Sequence, residues 1–155
     1  MFPADAERFC IKLKEHLSPG DLLFIGFDLT KNPHVILDAY NDKQGFTRDF
    51  DLNLLNRINN KLDADFNLNN FPHYPTYDPQ TGACKSYLVS TQDQQVYIGQ
   101  ADTYIDFTEN ECIYMEISQK YTLQQTLELA QKAGFTPIVH FFDSKKWFVD
   151  SVWKC

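Results

Sequence analysis

The chain has 155 residues, and its 14 Lys and Arg against 21 Asp and Glu leave a formal charge of −7. Nucleic-acid affinity comes mostly from cations that neutralise phosphates, so this balance argues against a nucleic-acid-binding protein and against attachment to an anionic membrane. Apolar residues make up 43% of the chain and aromatic residues 15%, which is enough for a folded core and excludes a disordered protein.

The first elements have the pattern of an α/β unit. Apolar residues recur at helical spacing between Pro3 and Leu17, and the turn Ser18-Pro19-Gly20 ends that helix. Residues 21–29 form an almost continuous apolar run, which is typical of a parallel strand covered on both faces. Asp28 stands near the carboxyl end of this strand, where open α/β sheets bind ligands.

The middle of the chain predicts two helices followed by antiparallel strands. Pro33 opens the first helix after Asn32, and Thr47 is expected to cap the second. The apolar stripe of the second helix is expected to be Phe50, Leu54, Ile58 and Leu62. Short alternating runs that predict strands then follow at residues 73–78, 83–91, 95–99, 103–108 and 112–118.

The last third returns to the α/β pattern. Thr122 and Gln125 form a capping box for a helix that Gly134 is expected to close. Residues 135–142 and 147–153 read as two strands of a hairpin. The predicted fold is therefore α/β with an α+β insertion, and its closing hairpin resembles the end of the class I methyltransferase fold.

Common chemical motifs do not occur in this sequence. The six glycines stand singly, so there is no Gly-rich phosphate loop, and no G-x-S-x-G elbow occurs. The four histidines and four cysteines lack metal-ligand spacing, so we expect no metal site and buried or incidental thiols. The sequence contains no apolar run long enough to span a bilayer and no signal-peptide pattern at its start, so we expect a cytoplasmic protein.

Residues 111–121 carry the densest group of polar side chains with chemical potential. On a strand, Glu116 and Ser118 share one face, where a carboxylate and a hydroxyl could grip a small polar ring or an amine. The solvated outer face of an edge strand explains the same pattern. Tyr40, taken alone, reads as a core aromatic residue with a polar tip.

Ordered sequence blocks resemble the histidine-specific S-adenosylmethionine (SAM)-dependent methyltransferase family, which makes trimethylated histidine (hercynine) for ergothioneine biosynthesis. The resemblance covers nearly the whole chain. The blocks are residues 19–33, 38–42, Phe50 with 53–59, 62–66, 87–90, 116–121 and 133–135.

The resemblance implies roles for four residues. A tyrosine of the family's A-Y-[ND]-D segment binds the substrate carboxylate, and this position is Tyr40. The Glu and Ser of an E-x-S-x-K-Y segment hold the imidazole, and these positions are Glu116 and Ser118. A variable side chain near the imidazole falls on Ser86. No catalytic residue is assigned.

The resemblance also implies that this is the C-terminal, truncated part of the enzyme. SAM is the implied cofactor, but the family's cofactor-binding half precedes the residues present here, so cofactor-binding residues remain unknown. We expect residues 1–31 to be a helix and strand of the methyltransferase core, 32–117 a substrate-recognition lobe, and 118–155 the closing helix and hairpin. Histidine is the implied substrate, with a complementing N-terminal half or a second copy as partner.

Two alternatives remain open at this point. The chain could be a non-catalytic ligand-binding subunit from a truncated or split gene. It could instead belong to a methyltransferase for another amino acid or amine, because Met115 and Gln119 stand where the family commonly has polar or aromatic residues.

Overall fold

A computed structural model describes all 155 residues, which divide into two compact units. The first unit comprises residues 1–33, 78–84 and 117–155, and the second comprises residues 34–77 and 85–116. The helices are α1 (Pro3–Glu15), α2 (Pro33–Tyr40), α3 (Phe46–Leu62) and α4 (Leu123–Lys132). The strands are β1 (Leu22–Asp28), β2 (His73–Asp78), β3 (Ala83–Val89), β4 (Gln94–Ile98), β5 (Thr103–Phe107), β6 (Cys112–Gln119), β7 (Thr136–Phe142) and β8 (Phe148–Lys154).

The first unit packs two helices on a three-stranded sheet of order β1-β8-β7, in which both pairs of strands are antiparallel. The core lies between α1, α4 and one face of the sheet. Its largest side chain is Trp153, which is fully buried and stacks on Phe27 with ring centroids 5.6 Å apart. Aromatic residues therefore supply much of the apolar area that stabilises this unit.

Within this chain, β1 has neither the parallel neighbour nor the second covered face that its apolar run predicts. β1 pairs antiparallel with β8 and lies at the edge of its sheet. Leu23, Ile25 and Phe27 turn towards the helices, whereas Leu22 and Phe24 are 59% and 63% exposed. An apolar run cannot by itself tell a strand with two covered faces from one whose second face is bare.

The second unit contains α2, α3, most of β2 and β3, the hairpin β4–β5 and the first part of β6. Strands β2, β3 and β6 form a sheet in that order. Apolar side chains from α3, the strands and the segment between them form its core, and three phenylalanines meet edge to face: Phe66, Phe71 and Phe107. The helix pair and antiparallel strands agree with the sequence prediction.

The start of α3 and the face that it buries differ from the prediction. Gly45, rather than Thr47, is the N-cap residue, and the carboxylate of Asp42 accepts the N–H groups of Phe46 and Thr47. Those hydrogen bonds lower the pKa of Asp42. The predicted stripe is also wrong, since Phe50 is 69% exposed and the buried face carries Asp51 and Leu55.

The end of the chain forms as predicted. Thr122 accepts the N–H of Gln125, and the Gln125 side chain accepts the N–H of Thr122, which completes the capping box of α4. Gly134 has φ +82° just beyond the helix, a conformation that glycine adopts without strain. No helix of the structure has both the length and the apolar character needed to cross a bilayer.

Candidate functional site

Residues Glu116 and Ser118 lie on β6, two positions apart on one continuous strand. Both are half-buried; Glu116 belongs to the second unit and Ser118 to the first. Alternation along a strand directs residues i and i+2 to one side. The Glu116 side chain makes no hydrogen bond or ion pair with the protein, whereas the Ser118 hydroxyl is held by a buried cation.

That cation is Lys120, in the first unit. Its side chain is 1% exposed, and its Nζ donates to Ser118 Oγ across 2.8 Å and lies 2.6 Å from Asp28 Oδ2. Lys31 Nζ pairs with the other oxygen of the Asp28 carboxylate. Burial raises the pKa of Asp28, but the hydrogen bonds and charges of the two lysines together outweigh it, so the net pKa is lowered.

The backbone of Lys120 is fixed by the turn between β2 and β3. Lys120 N–H donates to Gly82 O across 2.8 Å. Gly82 has φ +73°, and a Cβ atom there would lie 2.4 Å from Lys120 O, so only glycine fits without displacing the strand end. The position of the Ser118 hydroxyl therefore depends on a steric fit as well as on an ion pair.

In the second unit, Glu116 lines a pocket of about 250 Å³ that we call the Glu116 pocket. Its wall is formed by residues of α3 and β6: Phe50, Asp51, Asn53, Leu54, Arg57, Met115 and Glu116. An apolar cavity of about 150 Å³ admits a benzene ring, so this pocket has room for a five-membered ring on a short alkyl chain. Its ionisable groups are the carboxyl groups of Asp51 and Glu116 and the exposed guanidinium of Arg57.

Tyr40 lies at the end of α2 and lines a different pocket of the second unit, of about 110 Å³, which we call the Tyr40 pocket. Lys43, Arg48, Asp42 and His73 also line it, so its wall carries two cationic groups and one carboxylate beside the imidazole. The structure thus places Tyr40 and Glu116 in two pockets rather than in one. Cationic groups beside a phenol suit a carboxylate, and the carboxylate of Glu116 suits an N–H donor.

A buried polar cluster lies where these two pockets approach each other. Its members are Asp51 of α3, His73 of β2 and Ser86 of β3. His73 Nε2 lies 3.2 Å from Asp51 Oδ2 and 3.2 Å from Ser86 Oγ. His73 lines the Tyr40 pocket and Asp51 lines the Glu116 pocket, so this cluster forms part of both walls.

Ser86 was predicted as a site residue only through the resemblance, and Asp51 and His73 were not predicted as site residues. One signal was available, because Asp51 stands four residues before Leu55 and seven before Ile58, on the face that α3 buries. The prediction that Phe50 and Leu54 form the buried stripe placed Asp51 on the exposed face of α3, whereas the structure buries it.

Comparison with known proteins identifies the family of the chain. A sequence profile of the family described as "Histidine-specific methyltransferase, SAM-dependent" matches residues 1–155. The chain belongs to this family.

Two bacterial members of the histidine-specific methyltransferase family are similar to this chain over most of its length. The histidine N-alpha-methyltransferase of Mycolicibacterium smegmatis is 31% identical over 132 residues, which is 85% of this chain and 41% of that protein. The protein of the same name from Mycobacterium tuberculosis is 32% identical over 148 residues, 96% of this chain and 44% of that protein. The chain therefore spans less than half the length of these relatives.

A fungal protein and a solved structure are more distant. Ergothioneine biosynthesis protein 1 of Neurospora crassa is 28% identical over 87% of this chain and 15% of that protein. A SAM-dependent methyltransferase structure from Clostridium acetobutylicum covers 98% of this chain and 51% of that chain, with a TM-score of 0.45 and 7% identity. That likeness is too slight to support a conclusion.

Asp28, at the carboxyl end of β1, is an acidic residue at the end of a strand where α/β sheets bind ligands. Both of its oxygens already face lysines, Lys31 and Lys120. The family is SAM-dependent, and no residue of this chain is assigned to the cofactor.

Proposed function

We propose that this chain is the substrate-binding part of a SAM-dependent methyltransferase that acts on the α-amino group of L-histidine, the reaction that forms hercynine. The observation that carries the proposal is the Glu116 carboxylate, which has no protein partner and lines a pocket of a size suited to an imidazole ring. The family match supports the reaction class.

Each proposed contact follows from the chemistry of one side chain. Glu116 accepts a ring N–H, and Ser118, two positions further along the strand, completes the grip on the ring. Tyr40 donates its phenol O–H to the substrate carboxylate, aided by the positive charges of Lys43 and Arg48. Ser86 belongs to the buried cluster behind the Glu116 pocket and influences which ring is accepted.

The proposed role of the chain is positioning. SAM supplies the methyl group when it is bound, and the chain holds the substrate so that its α-nitrogen is presented to the cofactor. The α-nitrogen accepts the methyl group only in its unprotonated form, in which its lone pair is free. No residue of this chain is assigned as the general base.

We further propose that the bare face and free edge of the β1-β8-β7 sheet pack against a cofactor-binding part. Leu22 and Phe24 of β1, Ile138 and Phe141 of β7, and Phe148 of β8 are all strongly exposed. The relatives are more than twice as long as the matched segment, so their remaining residues are the natural occupant. A homodimer would be the competing outcome. The cytoplasmic location expected from the sequence stays a prediction.

Methyl transfer from labelled SAM to histidine tests the function, with the chain combined with the cofactor-binding part of the M. smegmatis relative. Glu116→Gln should lower kcat/KM for histidine by about 100-fold, as expected for loss of a charged hydrogen bond. Glu109→Gln is the matched control, because Glu109 is an exposed acid that lines neither pocket. Equal activity of the two variants would contradict the role of Glu116, and absence of histidine methylation would contradict the function.

A further inference from the structure

Asp51 is a buried acid that the protein leaves incompletely satisfied. Its side chain is 2% exposed, and Oδ2 accepts no hydrogen bond. His73 Nε2 is within ion-pair distance of that oxygen but not in hydrogen-bonding geometry. A buried polar atom without a partner has lost its hydration and gained little in return, so such atoms are rare in folded proteins and call for a functional explanation.

A nucleophilic triad does not explain the cluster. In such a triad, the acid and the hydroxyl bind opposite nitrogens of the imidazole, so that a proton can pass from one side to the other. Here, Asp51 and Ser86 both approach Nε2 of His73, at 3.2 Å each. The arrangement cannot activate Ser86 through the ring. A nucleophilic role therefore does not explain the buried carboxyl group of Asp51.

The Glu116 pocket offers an explanation for the buried acid, because Asp51 lines this pocket as well. With both carboxyl groups ionised and Arg57 at its exposed edge, the pocket wall carries a net charge of −1. Burial raises the pKa of Asp51, and His73 and the Ser86 hydroxyl lower it by less. A cation or an N–H donor that enters the pocket would therefore stabilise a carboxylate that the protein alone stabilises poorly.

Resting on the function proposed above, we propose that Asp51 is a further specificity-determining residue, whose negative charge behind Glu116 selects substrates with a cationic N–H ring. Imidazolium meets this description. A neutral ring of the same size without N–H groups would leave Glu116 unpaired and the charge of Asp51 uncompensated, and a site built for a polar ring discriminates strongly against such a ligand. Ser86 and His73 act as positioning residues that hold the Asp51 carboxyl in the wall.

Binding to the 155-residue chain tests this proposal without any methyl transfer. L-Histidine and 3-(2-thienyl)-L-alanine, whose five-membered ring has no N–H, are titrated at about pH 6, below the usual pKa of a free histidine ring. Amide signals of Asn53, Met115 and Glu116 in two-dimensional NMR spectra report occupancy of the pocket. We expect histidine to bind at least tenfold more tightly than thienylalanine.

Asp51→Asn should reduce that preference by about tenfold, whereas Asp38→Asn, which removes an exposed acid of α2 outside both pockets, should leave it unchanged. An unchanged preference in a folded Asp51→Asn chain would overturn the proposal. A measurement on the unaltered chain covers the case in which the variant fails to fold. The ¹³C signal of the Asp51 carboxyl should shift with histidine and not with thienylalanine, and a signal that stays in place would also overturn it.

The two proposals can fail separately. Histidine that binds with this dependence on Asp51 but is not methylated by the combined enzyme would refute the function and leave the specificity role standing. If the Asp51→Asn enzyme methylates histidine with unchanged selectivity, the specificity role of Asp51 is refuted and the proposed function stands. Histidine that perturbs none of the pocket signals would overturn the role of Asp51.

Discussion

The ammonium group of Lys120 donates to the hydroxyl of Ser118, and it does so from a position that solvent barely reaches. A buried cation needs a compensating charge, which Asp28 supplies. Because Asp28 also pairs with Lys31 and its side chain is 36% exposed, the two partners do not depend on each other equally.

This inequality predicts different costs for two substitutions. Asp28→Asn removes the carboxylate that faces the buried ammonium group of Lys120 and should lower the free energy of unfolding by about 3 kcal/mol. Lys120→Met leaves Asp28 partly solvated and still paired with Lys31, and should cost about 1 kcal/mol. Urea unfolding measures both. A larger loss for Lys120→Met would show that the ammonium group contributes mainly through contacts other than its pairing with Asp28.

Asp28 and Asp51 should make opposite contributions to stability as pH changes. The pKa of Asp28 is lowered in the folded state, so its contribution is present above about pH 3.9 and is lost as pH falls through the lowered value. The pKa of Asp51 is raised by burial, so the folded state holds its proton longer and stability falls as pH rises from about 3.9 through the raised value.

Urea unfolding at a series of pH values checks this pair of signs. The free energy of unfolding of Asp28→Asn should fall less at acid pH than that of the unaltered chain. The free energy of unfolding of Asp51→Asn should fall less as pH rises above about 3.9. Asp38→Asn, an exposed acid with no ion pair, serves as the control for a simple change of net charge. Parallel curves for all variants would contradict both assignments.

Tyr40→Phe should weaken substrate binding without slowing the reaction of bound substrate. The phenol O–H is proposed to bind the carboxylate equally in the ground and transition states, so KM for histidine should rise about tenfold with kcat little changed. Steady-state kinetics of the combined enzyme measure this. Tyr104→Phe removes a hydroxyl from an exposed tyrosine of β5 and is the control. A fall in kcat alone would assign Tyr40 to the reacting centre instead.

The exposed side of β1 predicts self-association of the chain by itself. Phe24→Lys places a charge on this bare edge strand and should reduce concentration-dependent association in sedimentation experiments. Tyr104→Lys alters an equally exposed aromatic residue of the second unit and should have no effect. If the unaltered chain is monomeric at all concentrations, the expectation that the exposed apolar face of β1 drives association is contradicted.

Local patterns predicted what local forces determine. The capping box at Thr122, the end of α4 at Gly134 and the helix that starts at Pro33 depend on neighbours in sequence, and all form as expected. The strands were also recognised, with ends that shift by one or two residues. The resemblance identified the family, which the full-length profile match confirms.

Features that depend on distant residues could not be predicted in this way. Nothing near Leu22 or Phe24 in sequence shows whether a second layer covers them. The inward turn of Asp51 depends on which face of α3 meets the strands, and the more hydrophobic stripe that begins at Phe50 pointed to the other side. The pairing of Lys120 with Asp28 joins residues 92 positions apart, which spacing rules do not reach.

The close fit of Gly82 against Lys120 has a consequence for strand register. A slip of one residue between β3 and β6 would carry every side chain of β6 to the opposite face, and Ser118 would then point away from its present neighbours. Such a slip would also break the hydrogen bond from Lys120 N–H to Gly82 O. The absent side chain of Gly82 thus lets a backbone contact fix the end of β6, in addition to the side chains of the strand.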